Sequence, residues 1–474
     1  MTTKLLRHID RLVTMDEARR VIEDGWVLIR EHVIDSLGSA GSEPVEADEV
    51  LDLTGHVVLP GLINTHHHLF QGILKNVPSL QDVSLFRWLR DIYLLESEFT
   101  DEMLSAGYKL GIAELLLSGC TTTIDHHYFR ANDMRFDTCV EAASEMGIRF
   151  HLARGSFSIG QSQGGLPPDH LVEDEDEILA DCERLIRCYH DPRPGAMTRI
   201  DLAPCSPYSV SQRLMQESIA LARRYGVGSH SHVAQAPEDE TYCLTTFGRR
   251  SVAVAAEAGW LGPDVWYAHA VTVNDDEIRL MAETGTAVSH CPNSNMYTCA
   301  GFAPVTAMLK AGVTVGLGVD GSAANNSSNM LHEVRSALLL QRVRFGADAC
   351  SPTQALEIAT LGGAKLLRRE ELGVLAPGKA ADLIAVDVRR LPFAGGSTDP
   401  VAGLVLCDNG RVNFSMVNGR MVVANGRLVG VDLDELILEG NRLAREIVRR
   451  TELRYGITLG TRDWRRAYPY EALA

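Results

Sequence analysis

The chain has 474 residues, 45% hydrophobic and 23% charged, an ordinary composition for a globular protein and enough length for one large domain and a smaller one. Its formal net charge is −17, and no basic run is long enough to follow a phosphate backbone, so nucleic acid is excluded as an expected partner. No apolar run approaches the roughly 18 residues that span a bilayer, the opening MTTKLLRHIDRLVTMDE lacks the apolar block of a signal peptide, and the ten cysteines include no CxxC; no membrane contact, no disulfide framework and a cytoplasmic location are expected.

In chain order, residues 1–56 alternate as short strands (WVLIREHVIDSLG, VLDLTGHVV). Between about 57 and 320 come eight short apolar or β-branched runs: VVLPGLINTHHH, CTTTIDHHYF, IRFHLARGSF, TRIDLAPCSPY, GVGSHSHVAQ, VWYAHAVTV, GTAVSHCPNSN and VTVGLGVDGSA. The segments between them, among them Glu102 to Leu117, Asp137 to Met146, Glu175 to Tyr189, Gln212 to Tyr225 and Asp275 to Glu283, space apolar residues three and four apart and predict helices. Eight strand-plus-helix units predict an α/β fold, a (β/α)₈ TIM-like barrel over residues 57–371. Short strands return over 372–434 (DLIAVDV, FSMVNGRMVVANGRLVG), so residues 1–56 and 372–434 are expected to assemble one small β-sandwich from both chain ends. Residues 435–474 complete the chain as a helix, read from Asp434 to Thr451, and a tail. The acidic tract Leu171 to Leu185 has neither the spacing nor the glycine of a calcium loop and reads as a solvated helix N-terminus.

Each of the eight runs carries its polar residues at its C-terminal end, where the loops of such a barrel build an active site. His66 and His68 are two apart and share a face of the first strand. With His232, His269 and Asp320 at the ends of later strands they form a set of imidazoles and one carboxylate suited to Zn²⁺ or Fe²⁺, one ion per chain, with a position left for water. His67, between two ligands and pointing the other way, is expected to pack.

These segments resemble the amidohydrolase superfamily, within the branch of guanine, 8-oxoguanine and isoxanthopterin deaminases and triazine hydrolases. PGLINTHHHLFQ (Pro60 to Gln71), HSHVAQ (His230 to Gln235), WYAHAV (Trp266 to Val271), SHCPNSN (Ser289 to Asn295), GVDGSAANNSSNM (Gly318 to Met330) and LGVLAPGKAADLIAVDV (Leu372 to Val388) carry the resemblance. ARGSFSIGQSQGGLPPD (Ala153 to Asp169) and LAPCSPYSV (Leu202 to Val210) most resemble the 8-oxoguanine deaminases. The resemblance implies that His66, His68, His232 and Asp320 ligate the metal, that His269 ligates it or holds the hydrolytic water, and that Asp320 takes the water's proton. It implies an aminohydrolase acting on a purine-, pterin- or triazine-like heterocycle, commonly a dimer. Gln71 and Arg154 match positions that relatives use to read the ring, and Trp88 is placed to stack on it.

One residue departs from that pattern. Deaminases of this branch carry a glutamate three residues after the strand-five histidine, where it protonates the ring; here the residue is Gln235, and an amide cannot donate a proton in that way. Three readings stay open: another group supplies the proton (Glu238, Glu240, His126, His127 or His290), the leaving group needs none, as in dehalogenation, or the protein binds a heterocycle without turnover. Asn295, Asn325 and Asn326 either orient substrate or shape turns.

Overall fold

The computed structural model describes residues 2–44, 46–407 and 410–461. The N-terminal flank forms β1 (Thr3–Val13), β2 (Val21–Arg30), β3 (Val33–Ser39), β4 (Glu49–Asp52) and β5 (His56–Pro60). The eight runs then supply β6 (Leu62–Asn64), β7 (Cys120–His127), β8 (Arg149–Ser156), β9 (Thr198–Pro204), β10 (Ser229–Val233), β11 (Val265–His269), β12 (Ala287–His290) and β13 (Val315–Leu317). They close as a parallel barrel in sequence order, β13 pairing back onto β6 through Leu317 and Asn64. The expected helices stand between them, for example Asp101–Leu117, Phe136–Met146, Glu175–Tyr189 and Gln212–Tyr225.

After the barrel, β14 (Leu383–Asp387), β15 (Phe414–Val417), β16 (Arg420–Ala424) and β17 (Arg427–Leu428) join the N-terminal strands in one hydrogen-bonded sheet of nine, ordered β17-β16-β15-β14-β5-β1-β2-β3 with β4 beside β1. The seam between the chain ends is the antiparallel pair β5–β14, from His56 against Asp387 to Pro60 against Leu383. β5 therefore belongs to this sheet and the barrel starts past Gly61. A register shift in β1 between Leu6 and Ile9 lets its first half pair with β4 and its second with β5. Ile9, Leu12, Val27, Ile34, Val58 and Leu383 pack there as an apolar core of their own. The last helix is longer than expected, Leu433–Tyr455, capped by the Asp432 side chain on Glu435 N and ended by Gly456 in the left-handed region. Its buried Gly440, Leu443 and Ile447 mark the face set against the body of the protein; the final tail from 462 lies outside the described residues.

Strand parity sorts the barrel. Ile63, Ile124, Ala153, Ala203, Trp266 and Ala287 pack with one another inside it, while Phe150, Leu152, Ile200 and Val288 belong to the large core shared with the surrounding helices. Small residues allow close approach at the mouth: a Cβ on Gly318 would stand 2.8 Å from His66 Cβ and 2.7 Å from Ser289 Oγ.

Candidate metal centre

Side chains from four parts of the barrel meet at its C-terminal mouth. His66 and His68 follow β6, His232 lies in β10, His269 ends β11 and Asp320 follows β13, and all five are buried. His66 Nε2 and His68 Nε2 each lie 3.3 Å from Asp320 Oδ1, His269 Nε2 lies 3.8 Å from Oδ2, and His68 Nε2 lies 3.2 Å from His232 Nε2.

Their partners decide which nitrogen carries hydrogen. His68 Nδ1 is 2.7 Å from the carbonyl of His126, and His232 Nδ1 is 2.7 Å from that of Cys205; an oxygen acceptor forces both Nδ1 atoms to donate. His269 Nδ1 meets Asn295 Oδ1 at 2.9 Å. His230 Nδ1 donates to the Trp266 carbonyl at 3.1 Å, so its Nε2 accepts, and the His66 Nδ1–H, 2.8 Å away, supplies the hydrogen. Each of the four rings is thus held as the tautomer with a bare lone pair on Nε2. Among the described residues His66 Nε2 and His269 Nε2 have no hydrogen-bond partner, and His68 Nε2 and His232 Nε2 face each other as two acceptors. Four lone pairs and a carboxylate around one point repel unless a cation stands among them, and neutral imidazoles with one carboxylate are the donor set of Zn²⁺ or Fe²⁺.

Burial holds the His66 and His232 imidazoles well below their ordinary pKa and lowers His68 as well, so the rings stay neutral and able to ligate. For Asp320 burial works upward, yet the imidazole groups of His66, His269 and His68 around it hold the carboxyl well below its ordinary value. Ser294 Oγ donates to Asp320 Oδ2 and the Gly321 N–H to Oδ1 at 2.7 Å. Behind them buried Glu333 accepts from Asn293 and from Asn325 Nδ2, tying two loops together, and burial pushes its carboxyl up to about 8. The backbone is strained here: His269 (φ 73°), Asp320 (φ 61°) and Ala234 (φ 56°) occupy the left-handed region, at a cost on the order of 1–3 kcal/mol each.

A partly enclosed cavity of about 30 Å³ sits over the cluster, lined by His68, His232, Asp320, Gln71, Gln235 and Trp88, with Tyr128 and Tyr208 beside them. Trp88 and Tyr93 reach it from the helix Leu85–Glu96. Gln71, Trp88 and Gln235 thus line one cavity. Arg154 does not. It has the parity of Phe150 and Leu152, points out of the barrel, and its guanidinium bonds Glu173 Oε2 (3.0 Å), Asp181 Oδ2 (3.3 Å) and the Gly155 carbonyl (2.7 Å) while lying over the Phe136 ring. It is a salt-bridging residue and the expectation that it reads substrate is corrected.

The alternative proton donors divide in the same way. Glu240 is occupied by Ser251 Oγ (2.7 Å) and Thr272 Oγ1 (3.1 Å), and Glu238 is half-buried on the helix Pro237–Phe247, away from the cavity lining. His126 donates Nε2–H to the Ala203 carbonyl and stacks on His232, while His127 packs among Phe70, Phe129 and Phe136. His290 has no partner on either ring nitrogen among the described residues, yet it is not in the lining. His67 turns outward and bonds Ser328 Oγ at 3.0 Å. Asn295 orients His269, and Asn325 braces Glu333 and the Val319 carbonyl. The sequence reading missed His230 as the partner of His66, Tyr208 as the partner of Gln235, and Ser294; the tyrosine stands in plain sight in LAPCSPYSV, but nothing local says what it touches.

Comparison with known proteins agrees with this geometry. A family profile described as "Amidohydrolase family" matches residues 57–429. The chain is 43% identical over 431 residues to an 8-oxoguanine deaminase of Pseudomonas aeruginosa, covering 90% of this chain and 94% of that one. It is 36% identical to a hydroxydechloroatrazine ethylaminohydrolase of Pseudomonas sp. (strain ADP), covering 97% and 99% of the two chains. Among solved structures, an atrazine chlorohydrolase from Arthrobacter aurescens TC1 complexed with zinc superposes with a TM-score of 0.88 at 33% identity, covering 93% of this chain and all of that one.

Proposed function

The chain belongs to the amidohydrolase family, and from that membership and its convergent Nε2 lone pairs we propose that it is a metal-dependent hydrolase that replaces an amino group on a purine-, pterin- or triazine-like heterocycle. The single observation that carries the reading is that His66, His68, His232 and His269 each have Nδ1 committed elsewhere and turn a bare nitrogen into one cluster, which Asp320 joins through His66, His68 and His269. These five residues would hold the ion, which when bound acts as a Lewis acid and lowers the pKa of a water from 15.7 to about 7.

The protein's own residues supply the rest. Asp320, ionised and oriented by Ser294 and Gly321, takes the proton of the attacking water. A C–O bond forms at the ring carbon, the C–N bond breaks, and the proton held on Asp320 passes to the departing amine, which leaves as ammonia. Gln235 carries no proton in this scheme; it and Gln71 bond the ring, and Trp88 covers it. Zinc is the simplest resident ion, since a relative of the same fold is described with zinc. Exposed Leu339 and Val343, one turn apart on the helix Met330–Phe345, fit a dimer contact, and ten cysteines without a disulfide among the described residues fit a reducing cytoplasm.

Ammonia release from a panel of aminopurines, aminopterins and aminotriazines by zinc- and iron-loaded protein tests this. Turnover of at least one member, lost in Asp320→Asn, is expected; tight binding without any turnover overturns it. Gln235 favours one second reading, displacement of a halide, which departs without a proton. Chloride release from chloro analogues of the same rings separates the two.

A further inference from the structure

The two amides and the indole that line the cavity over the imidazoles are all left as donors. Gln71 Oε1 accepts the Ala323 backbone N–H at 3.0 Å, leaving Gln71 Nε2 buried without a protein partner. A backbone N–H can only donate, so this side chain cannot turn over. Gly321 makes room for it, since a Cβ there would stand 1.9 Å from Gln71 Oε1. Gln235 is held less strictly, by a hydroxyl that can donate or accept: Tyr208 OH donates to its Oε1 at 3.2 Å, leaving Nε2 for a ligand. The Trp88 indole N–H is also buried, with no partner among the described residues. All three groups line one cavity, whose described lining contains no lysine or arginine and Asp320 as its carboxylate.

Given the reading of this cavity as the substrate site, we propose that it selects neutral nitrogen heterocycles that turn only hydrogen-bond acceptors, unprotonated ring nitrogens or carbonyl oxygens, toward Gln71, Trp88 and Gln235. Tyr208 is the positioning residue that makes Gln235 a donor. A ring N–H aimed at any of the three meets N–H against N–H, and both groups stay unsatisfied where the wall keeps water out. An anionic substituent finds no cation in the wall. Glutamate at position 235 would reverse the polarity, because a carboxylate only accepts. The glutamine is therefore part of the recognition and not an acid that has been lost.

Two probes test this without needing turnover: a diamino-s-triazine, and a diaminopyrimidine in which one ring nitrogen acceptor is replaced by C–H. Calorimetric binding to zinc-loaded protein should favour the triazine by about tenfold, the worth of roughly one hydrogen bond. In Tyr208→Phe with unchanged zinc content the freed amide can rotate, and the ratio of dissociation constants should fall to within about threefold of unity. In the isosteric Gln235→Glu it should invert toward the pyrimidine, whose ring accepts a proton more readily. Equal binding by the wild type, a ratio that survives both substitutions, or binding of neither probe overturns the proposal. Ammonia release from the same samples separates the two readings. Preference without turnover removes the hydrolase and leaves the selectivity, whereas turnover without preference does the opposite.

Discussion

His66 Nδ1 and His230 Nε2 stand 2.8 Å apart, and the hydrogen between them belongs to His66 because His230 commits its own to the Trp266 carbonyl. A residue that touches no ligand position thereby decides which nitrogen of His66 faces Asp320. Removing it frees the His66 ring to adopt the other tautomer. His230→Ala is expected to weaken zinc binding by roughly 10–100-fold in a chelator competition while the fold persists. Unchanged affinity would show that the barrel wall alone orients His66.

Asp320 is expected to be indispensable for turnover. Asp320→Asn removes both a ligand and the proton acceptor, so hydrolysis should fall by at least about 10²–10⁴. The circular dichroism spectrum should not change, because the Gly321 N–H can still bond the amide oxygen while the Ser294 hydroxyl accepts from the amide nitrogen. Appreciable residual activity would contradict the role of base.

Arg154 should matter for stability and not for recognition. Arg154→Met takes the buried cation from Glu173 and Asp181 and leaves them only the more exposed Arg130 and Arg184, a loss of at most about 3–5 kcal/mol. Denaturant unfolding should show the loss, while KM for any accepted heterocycle stays within about twofold, since the side chain points away from the cavity. A selective rise in KM would return Arg154 to the substrate site.

The Glu333 carboxyl has a pKa raised to about 8 in the folded protein, against an ordinary glutamate value of 4.5. Between those values the folded state holds a proton that the unfolded state has released, so stability falls as pH rises through that window and levels off above it. Buried Asp125 and Asp239, each pushed up to about 7 by burial, act in the same direction at lower pH. Glu333→Gln should flatten the decline between about pH 6.5 and 8 by on the order of 1–2 kcal/mol. An unaltered slope in thermal melts would assign the dependence to other groups.

The barrel, its eight strands and the gathering of His66, His68, His232, His269 and Asp320 at one mouth were legible in the chain itself. Strand alternation and polar strand ends are local properties, and each run states both within about ten residues. The same alternation already places Arg154 on the outer face with Phe150 and Leu152, and only the likeness of ARGSF to relatives draws it inward. What the tertiary structure alone decided is direction: which imidazole nitrogen is bare, and which end of an amide meets a ligand. Those choices belong to partners far away in sequence, Ala323 for Gln71 across 252 positions and His230 for His66 across 164. A hydrogen bond needs a donor and an acceptor within about 3 Å, and no local pattern in a chain reports which distant atoms folding will bring that close.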